Sequence, residues 1–394
     1  MKSPGSAGEV FRVFSRLGLT SFGGPVAHLA YFHQELIVRR RWLSEAQYAQ
    51  LLAICQFLPG PASSQLGFCL GLLRGGWLGA LAAFVAFTLP SALLLVAVAL
   101  LLPYLDNDTG VAVIHGLKIV AVVVVAHAVS GMARKLCPDV SRQSIAVAAA
   151  AIMLLSASAW AQLLVIAAGA GLGITLCRVG QTESAEGFAP PHGPRVGLAL
   201  LLLFSVLLLC LPFLAQSVGG WASIAEVFYR AGALVFGGGH VVLPLLEESV
   251  VGRGWMAADT FLAGYGAAQA VPGPLFSFAA FLGAGMQDTG GWAAAVIALL
   301  FIFMPGFLLV AGVLPFWNRV TAHAYAGRAI AGVNAAVVGL LAAALYDPVW
   351  VSAIHQPVDV AIALVGWLIL TAWGRSAIYV VMWCVLASLG CHFL

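Results

Sequence analysis

The sequence predicts an all-α polytopic membrane protein made of two inverted-topology repeats. Helices should be broken or re-entrant at two Pro-Gly-Pro motifs, with about 9–13 membrane crossings at roughly 20 apolar residues each. Three observations predict this. Of the 394 residues, 62% are hydrophobic and only 8% charged, with a mean hydropathy of +1.01, whereas a soluble domain carries about a quarter charged residues. The same motifs occur twice at a nearly constant offset, and the basic residues sort to one side of the apolar segments. The first observation excludes an ordinary soluble enzyme, a nucleic-acid binder and a disordered chain.

The elements follow in order. The first nine residues are polar, and the apolar stretch after them is interrupted by Arg12 and Arg16, so no cleavable signal is expected. Clear spans are expected near 77–104, 111–133, 196–216, 291–316 and 323–346. The runs 143–177 and 357–393 are each long enough for a hairpin of short helices, breaking near Ser156 to Ser158 and Gly374-Arg375. Residues 10–33 and 222–248 are apolar but hold arginines and glycine clusters, and residues 45–75 and 258–287 are each split by a Pro-Gly-Pro. The seven cysteines form no CxxC pair and lie in or beside apolar runs, which predicts packing and neither metal binding nor a disulfide framework.

Repetition sets the domain boundaries. Phe14, Arg16, Gly18, Phe22, Gly23 and Gly24 return as Phe228, Arg230, Gly232, Phe236, Gly237 and Gly238, offset by 214. Gln56, Pro59, Gly60 and Pro61 return as Gln269, Pro272, Gly273 and Pro274, and Trp42, Trp77 and Pro90 find Trp255, Trp292 and Pro305. The chain thus divides into a first repeat at 1–178, a polar linker with a joining transmembrane helix at 179–221, and a second repeat at 222–394.

If the glycine and Pro-Gly-Pro regions make no net crossing and the N-terminus is cytoplasmic, thirteen basic residues fall inside. They are Lys2, Arg39, Arg40, Arg41, Arg74, Arg134, Lys135, Arg142, Arg178, Arg195, Arg319, Arg328 and Arg375. Arg253 alone falls outside, with Asp106, Asp108, Asp259, Asp288 and Asp347. Equivalent elements of the two halves then sit upside down relative to each other. The parity is the same if each Pro-Gly-Pro region makes two full spans.

Inverted repeats with broken segments at matching positions point to a secondary transporter and to its substrate site. Prolines halt a helix near Leu58 and allow another to start near Ala62. The free amides of Ala62, Ser63 and Ser64 would then favour an anion, with Gln56, Gly60, Ser63, Ser64 and Gln65 around it. The second half offers Gln269, Gly273 and Ser277; the competing reading of both motifs is a packing kink. Gly23, Gly24 and His28, with Gly238, Gly239 and His240, either line a cavity or form packing surfaces. Arg16, Arg230 and Lys118 lie inside apolar segments and are candidates to hold an anion, or else snorkel to the surface. Asn334 is the repeat equivalent of Lys118. His115, His127, Glu35, Glu226, Glu247 and Glu248 are further titratable candidates, more readily explained by packing or surface position. No HExxH, Walker-type loop or serine-nucleophile motif occurs, so neither an enzyme nor an ATP-driven pump is expected.

The duplicated Phe-Gly-Gly segments followed by QFLPGP and QAVPGP resemble the chromate ion transporter family in its long-chain, two-domain form, over about residues 10–394. The resemblance implies a multi-pass transporter of the bacterial inner membrane that exports chromate, is driven by the proton gradient and confers chromate resistance. It carries the family's positions onto Gly23, Gly24, Pro25, Gln56, Pro59, Gly60 and Pro61, and onto Gly237, Gly238, Gly239, Gln269, Pro272, Gly273 and Pro274. Gly239 stands where the first half has Pro25, so the halves need not contribute equally. Partners expected are chromate, with sulfate as the near-isosteric alternative, protons as coupling ion and the lipid bilayer. No cofactor and no nucleic acid are expected, while a channel on the same scaffold, the choice of oxyanion and an oligomeric assembly stay open.

Overall fold

The computed structural model describes residues 5–22, 24–104, 108–155, 159–177, 192–235, 242–287, 290–317 and 324–392, and every regular element among them is helical. The chain is a polytopic membrane protein whose outward side chains are largely apolar.

α1 (Ala7–Thr20) buries Val10, Val13, Phe14, Leu17 and Gly18, the repeating face of an amphipathic helix, and Ser6 caps it by accepting from the Glu9 amide at 3.1 Å. α2 (Gly24–Phe32) follows the first glycine pair, and α3 (Glu45–Phe57), opened by a Ser44–Gln47 capping box, runs into the first Pro-Gly-Pro. α4 (Ala62–Leu101) spans 40 residues but is two limbs. Gly75 and Gly76 leave helical geometry, Gly76 at φ +65°, and a Cβ on Gly71 would stand 2.5 Å from the Gly79 carbonyl oxygen. Residues eight apart in one helix lie about 12 Å apart. The limbs 62–74 and 77–101 are therefore folded back on each other, with the turn at Gly75-Gly76.

α5 (Asp108–Leu136), α6 (Val140–Leu155) and α7 (Ala159–Leu176) complete the first half. α8 (Pro194–Val218) is the joining helix; Leu198, Leu202, Leu209 and Phe213 on it are more than half exposed, as a lipid-facing surface requires.

The second half repeats the pattern with α9 (Trp221–Leu234), α10 (Val242–Val250), α11 (Ala258–Ala268), a short turn at Leu275–Ser277 entering α12 (Phe278–Gly285), and α13 (Trp292–Val313). Gly283 meets the Ala294 carbonyl as Gly71 meets that of Gly79, so α12 and α13 form the second hairpin, and Gly291 has φ +116° beside its turn. α14 (Ala324–Ala344), α15 (Pro357–Thr371) and α16 (Ala377–His392) close the chain. The runs expected to be short hairpins are α6 with α7 and α15 with α16, and Gly374 has φ +59° at the second break. The break at Ser156 to Ser158 lies outside the described residues.

The two long hairpins point opposite ways. Ser91 on the second limb of α4 meets Ser277, and farther along the same limb Ala99 lies 3.8 Å from where a Cβ on Gly285 would stand. Limb and helix run in the same direction, so the tip near Gly291 lies at the opposite end of the limb from the tip at Gly75-Gly76. The halves also share their cores. Val310, Leu314 and Trp317 of α13 and the residues after it pack with Phe14, Leu70 and Phe87, while Leu95, Val96 and Val125 pack with Phe228, Phe261 and Phe278.

Candidate substrate site

The site begins with a backbone problem. A broken helix at membrane depth leaves polar groups that lipid cannot satisfy. Proline has no N–H, so in each Pro-Gly-Pro only the glycine can donate. The Gly60 amide donates to the carbonyl of Val235 at 2.7 Å, and the Gly273 amide donates to that of Ser21 at 3.0 Å. Ser21 and Val235 are the residues that end α1 and α9, where helix carbonyls lack internal partners. Each Pro-Gly-Pro thus completes the helix end of the other half, and the four residues are repeat equivalents in pairs. Gly60 (φ +123°) and Gly273 (φ +105°) hold backbone conformations that only glycine adopts freely.

Side chains finish the two crossings differently. In the first, Gln65 is fully buried and its Nε2 donates to Pro59 O at 2.9 Å and across to Gly306 O at 3.0 Å. In the second, the Ser91 and Ser277 hydroxyls pair at 2.6 Å, and Ser91 also donates to Thr88 O. His28 sits over the Phe87 ring with Nε2 3.2 Å from Ser21 O, which fixes Nε2–H as donor and leaves Nδ1 as acceptor. Both helix starts, after Pro61 and after Pro274, lack a side-chain cap. Around the crossings, Ser21 Oγ, His28 Nδ1, Ser64 Oγ, Gln65 Oε1 and Thr88 Oγ1 are buried without a hydrogen-bond partner, an unusual concentration for buried polar atoms. Aromatic rings from both halves pack on one another near the crossings: Phe84 on Phe303 and Phe307, and Phe276 on Phe303, all with centroids 5.1–5.7 Å apart.

The other sequence candidates divide. Ser63 and Ser64 are buried at the α4 start, whereas Gln56 is exposed and the half-buried Gln269 bonds back to Tyr265 O at 3.4 Å. Gly24 takes φ +74°, while Gly23 and the run Gly237, Gly238, Gly239 and His240 lie outside the described residues. Arg16 lies on the exposed face of α1. The expectation of an unpaired lysine is corrected: Lys118 is 7% exposed and its Nζ donates to Asp259 Oδ1 at 2.8 Å. Its partner is on α11, too far along the chain for spacing to reveal. Arg230 is paired as well, through Nε to the buried Glu226 at 2.8 Å, and Arg253 reaches the same carboxylate at 3.3 Å. Glu248 joins Arg230 and Gln162 around a small cavity. Asn334 is half-buried on α14 with Oδ1 unpartnered. His127 packs against Trp367, and Glu35 is held by Arg39 and Arg40.

Sequence reasoning passed over Ser91, Thr88 and Gly306. Their signal was the Pro90 and Pro305 repeat pair, since Ser91 and Gly306 each follow one of those prolines and each crosses to the other half's break.

The profile of the chromate transporter family matches residues 8–174 and, a second time, residues 222–389. The chain belongs to the chromate transporter family. A chromate transport protein of Pseudomonas aeruginosa is 31% identical over 405 aligned positions, covering 96% of this chain and 90% of that protein. A probable chromate transport protein of Synechococcus elongatus is 30% identical, covering 86% and 83%. A chromate transport protein of Cupriavidus metallidurans is 28% identical, covering 91% and 85%. No solved structure shows a significant match. The double match of the chromate transporter profile falls on the two segments whose breaks cap one another.

Proposed function

We propose that the protein is a secondary transporter that exports chromate across the bacterial inner membrane, coupled to proton entry, and so confers chromate resistance. The observation that carries this reading is the pair of reciprocal crossings, in which two uncapped helix starts and unpartnered buried polar atoms gather at the helix breaks of a family whose relatives are named for chromate transport. Helix starts favour a dianion through their free amides and dipole. In this reading the hydroxyls of Ser63, Ser64 and Ser277 donate to its oxygens, while both Gln65 Nε2 hydrogens stay on Pro59 O and Gly306 O. Repacking the phenylalanines near the crossings would alternate access, with the oppositely pointing hairpins moving as two inverted repeats.

The charge-based topology, with the N-terminus cytoplasmic, agrees with the Glu9–Arg74 ion pair, which brings the N-terminal helix to the same side as Arg74. Everted membrane vesicles test the function. Chromate uptake under an acid-lumen gradient, with excess sulfate competing weakly, is the expected result. Absence of chromate uptake under every gradient overturns the reading, and sulfate uptake in its place reassigns the substrate.

A further inference from the structure

The first third of α5 lines an open cavity of about 320 Å³ together with α11, α15, α16 and the turn before α15. Its titratable and charged groups are His115 and Lys118 on α5, Asp259 on α11, His355 in the turn, Asp359 on α15 and Cys391 on α16. None of them belongs to the crossings described above, and the charge-based topology puts all of them at the outer end.

The charges are arranged unequally. Lys118 and Asp259 neutralise each other at 2.8 Å. Asp359 is immobile: its Oδ2 accepts the backbone amides of His355 and Gln356, both at 2.9 Å, and its Oδ1 lies 2.8 Å from His115 Nε2. Three N–H donors on one carboxylate favour its ionised form. The His115 imidazole is the basic side chain within hydrogen-bond reach of that carboxylate, and its second ring nitrogen is the free position for an added proton. With His115 neutral the cavity carries one net negative charge; with one proton on His115 it carries none. A second proton is opposed, because the His355 ring stacks on His115 with centroids 6.1 Å apart, and two imidazolium rings so placed repel.

It is also connected to the second crossing. On α5, Leu117 lies between His115 and Lys118, and its carbonyl abuts Gly266 of α11 so closely that a Cβ there would clash. α11 ends at Gln269, immediately before the second Pro-Gly-Pro, and Asp259 in its first turn is the residue tied to Lys118. The segment that carries His115 thus packs directly on the helix that leads into the break.

We propose that this cavity is the proton-binding site of the transport cycle, with His115 as the proton carrier and Asp359 as its fixed counter-charge. The assignment rests on the proton-coupled reading above and names the group through which coupling runs. The proton enters from the outer face onto a His115 nitrogen and leaves from the same atom when the site faces inward, with no bond made or broken elsewhere.

Two measurements test it on the full chain. In everted vesicles with the membrane potential clamped at zero, one coupled proton gives about tenfold greater chromate accumulation per pH unit of lumen acidity, since one unit is worth about 1.4 kcal/mol. His115→Gln is expected to abolish that dependence and the accompanying proton flux read by a trapped dye, while His127→Gln, on the same helix, retains both. A purely structural role for the His115–Asp359 pair predicts lower thermal stability with the pH dependence intact, and that outcome overturns the proposal. Independently of transport, ring-labelled histidine NMR of the chain in detergent should show a titrating imidazole between about pH 5 and 8 that disappears in His115→Gln. A His115 ring that does not titrate overturns the assignment even if chromate moves. Wild-type vesicles that move no chromate, with His115 titrating normally, overturn the transport reading and leave the proton site standing.

Discussion

The two crossings share a backbone plan and differ in every side chain that completes it. In each, a glycine between two prolines donates its amide to the last carbonyl of a helix from the other half. At the first crossing one long amide, Gln65, then bridges Pro59 and Gly306; at the second, two short hydroxyls and a histidine do comparable work. The difference teaches which part duplication could not alter. The amide-to-carbonyl bonds have no substitute in lipid, because Pro-Gly-Pro offers no second donor. The side chains around them were free to diverge, and they leave an amide oxygen at one crossing and an imidazole nitrogen at the other without partners.

The glycines offer the strongest way to break the comparison. At Gly60 a Cβ would stand 3.0 Å from Gly306 Cα, a backbone atom, and at Gly273 it would stand 2.8 Å from the Ser91 hydroxyl and 3.2 Å from Phe87 O. Each Gly→Ala change costs about 1–3 kcal/mol for the disfavoured backbone and about 1–3 kcal/mol more for overpacking. Thermal unfolding in detergent should show both losses, with Gly60→Ala the larger because Gly306 cannot rotate away. Equal losses, or none, would remove the asymmetry argued here.

Next in size is Gln65→Ala, which removes two hydrogen bonds in a buried site and should cost about 2–3 kcal/mol, with chromate uptake falling several-fold. Ser277→Ala leaves Ser91 its bond to Thr88 O and should cost about 1 kcal/mol. If Ser277→Ala proves as damaging as Gln65→Ala, the second crossing depends on its hydroxyls as heavily as the first does on its amide. Smallest is Gln56→Ala. Its side chain is exposed, and a surface change of this kind shifts stability by about 0.5 kcal/mol or less; a loss of transport without a loss of stability would return Gln56 to the substrate path.

Much of this fold was legible in the chain because lipid makes a simple demand on composition. Span positions and the two Pro-Gly-Pro stops follow from apolar length and from proline's missing donor. The repeat offset even announced which residues would be equivalent. It did not announce that equivalents would meet across the halves, since periodicity carries no information about which helix lies beside which. Lys118 shows the cost: an isolated lysine in an apolar run reads as an anion ligand until Asp259, on another helix, takes its charge. His115 and Asp359 were hidden in the same way. Gln56 misled for a different reason. It recurs in both halves as a polar residue before a break, but the helix turns it outward, while Gln65, which does not recur, holds the first crossing together.

The reciprocal caps make incompleteness a built-in property of either repeat. Taken alone, the first half would carry a Gly60 amide and a Ser21 carbonyl with nothing to meet them, and the second would carry the complementary pair. In this chain each of these groups is met by the complementary group of the other copy. The fused chain supplies the second copy covalently and in a fixed one-to-one ratio, and this frees each copy to specialise without having to fit itself.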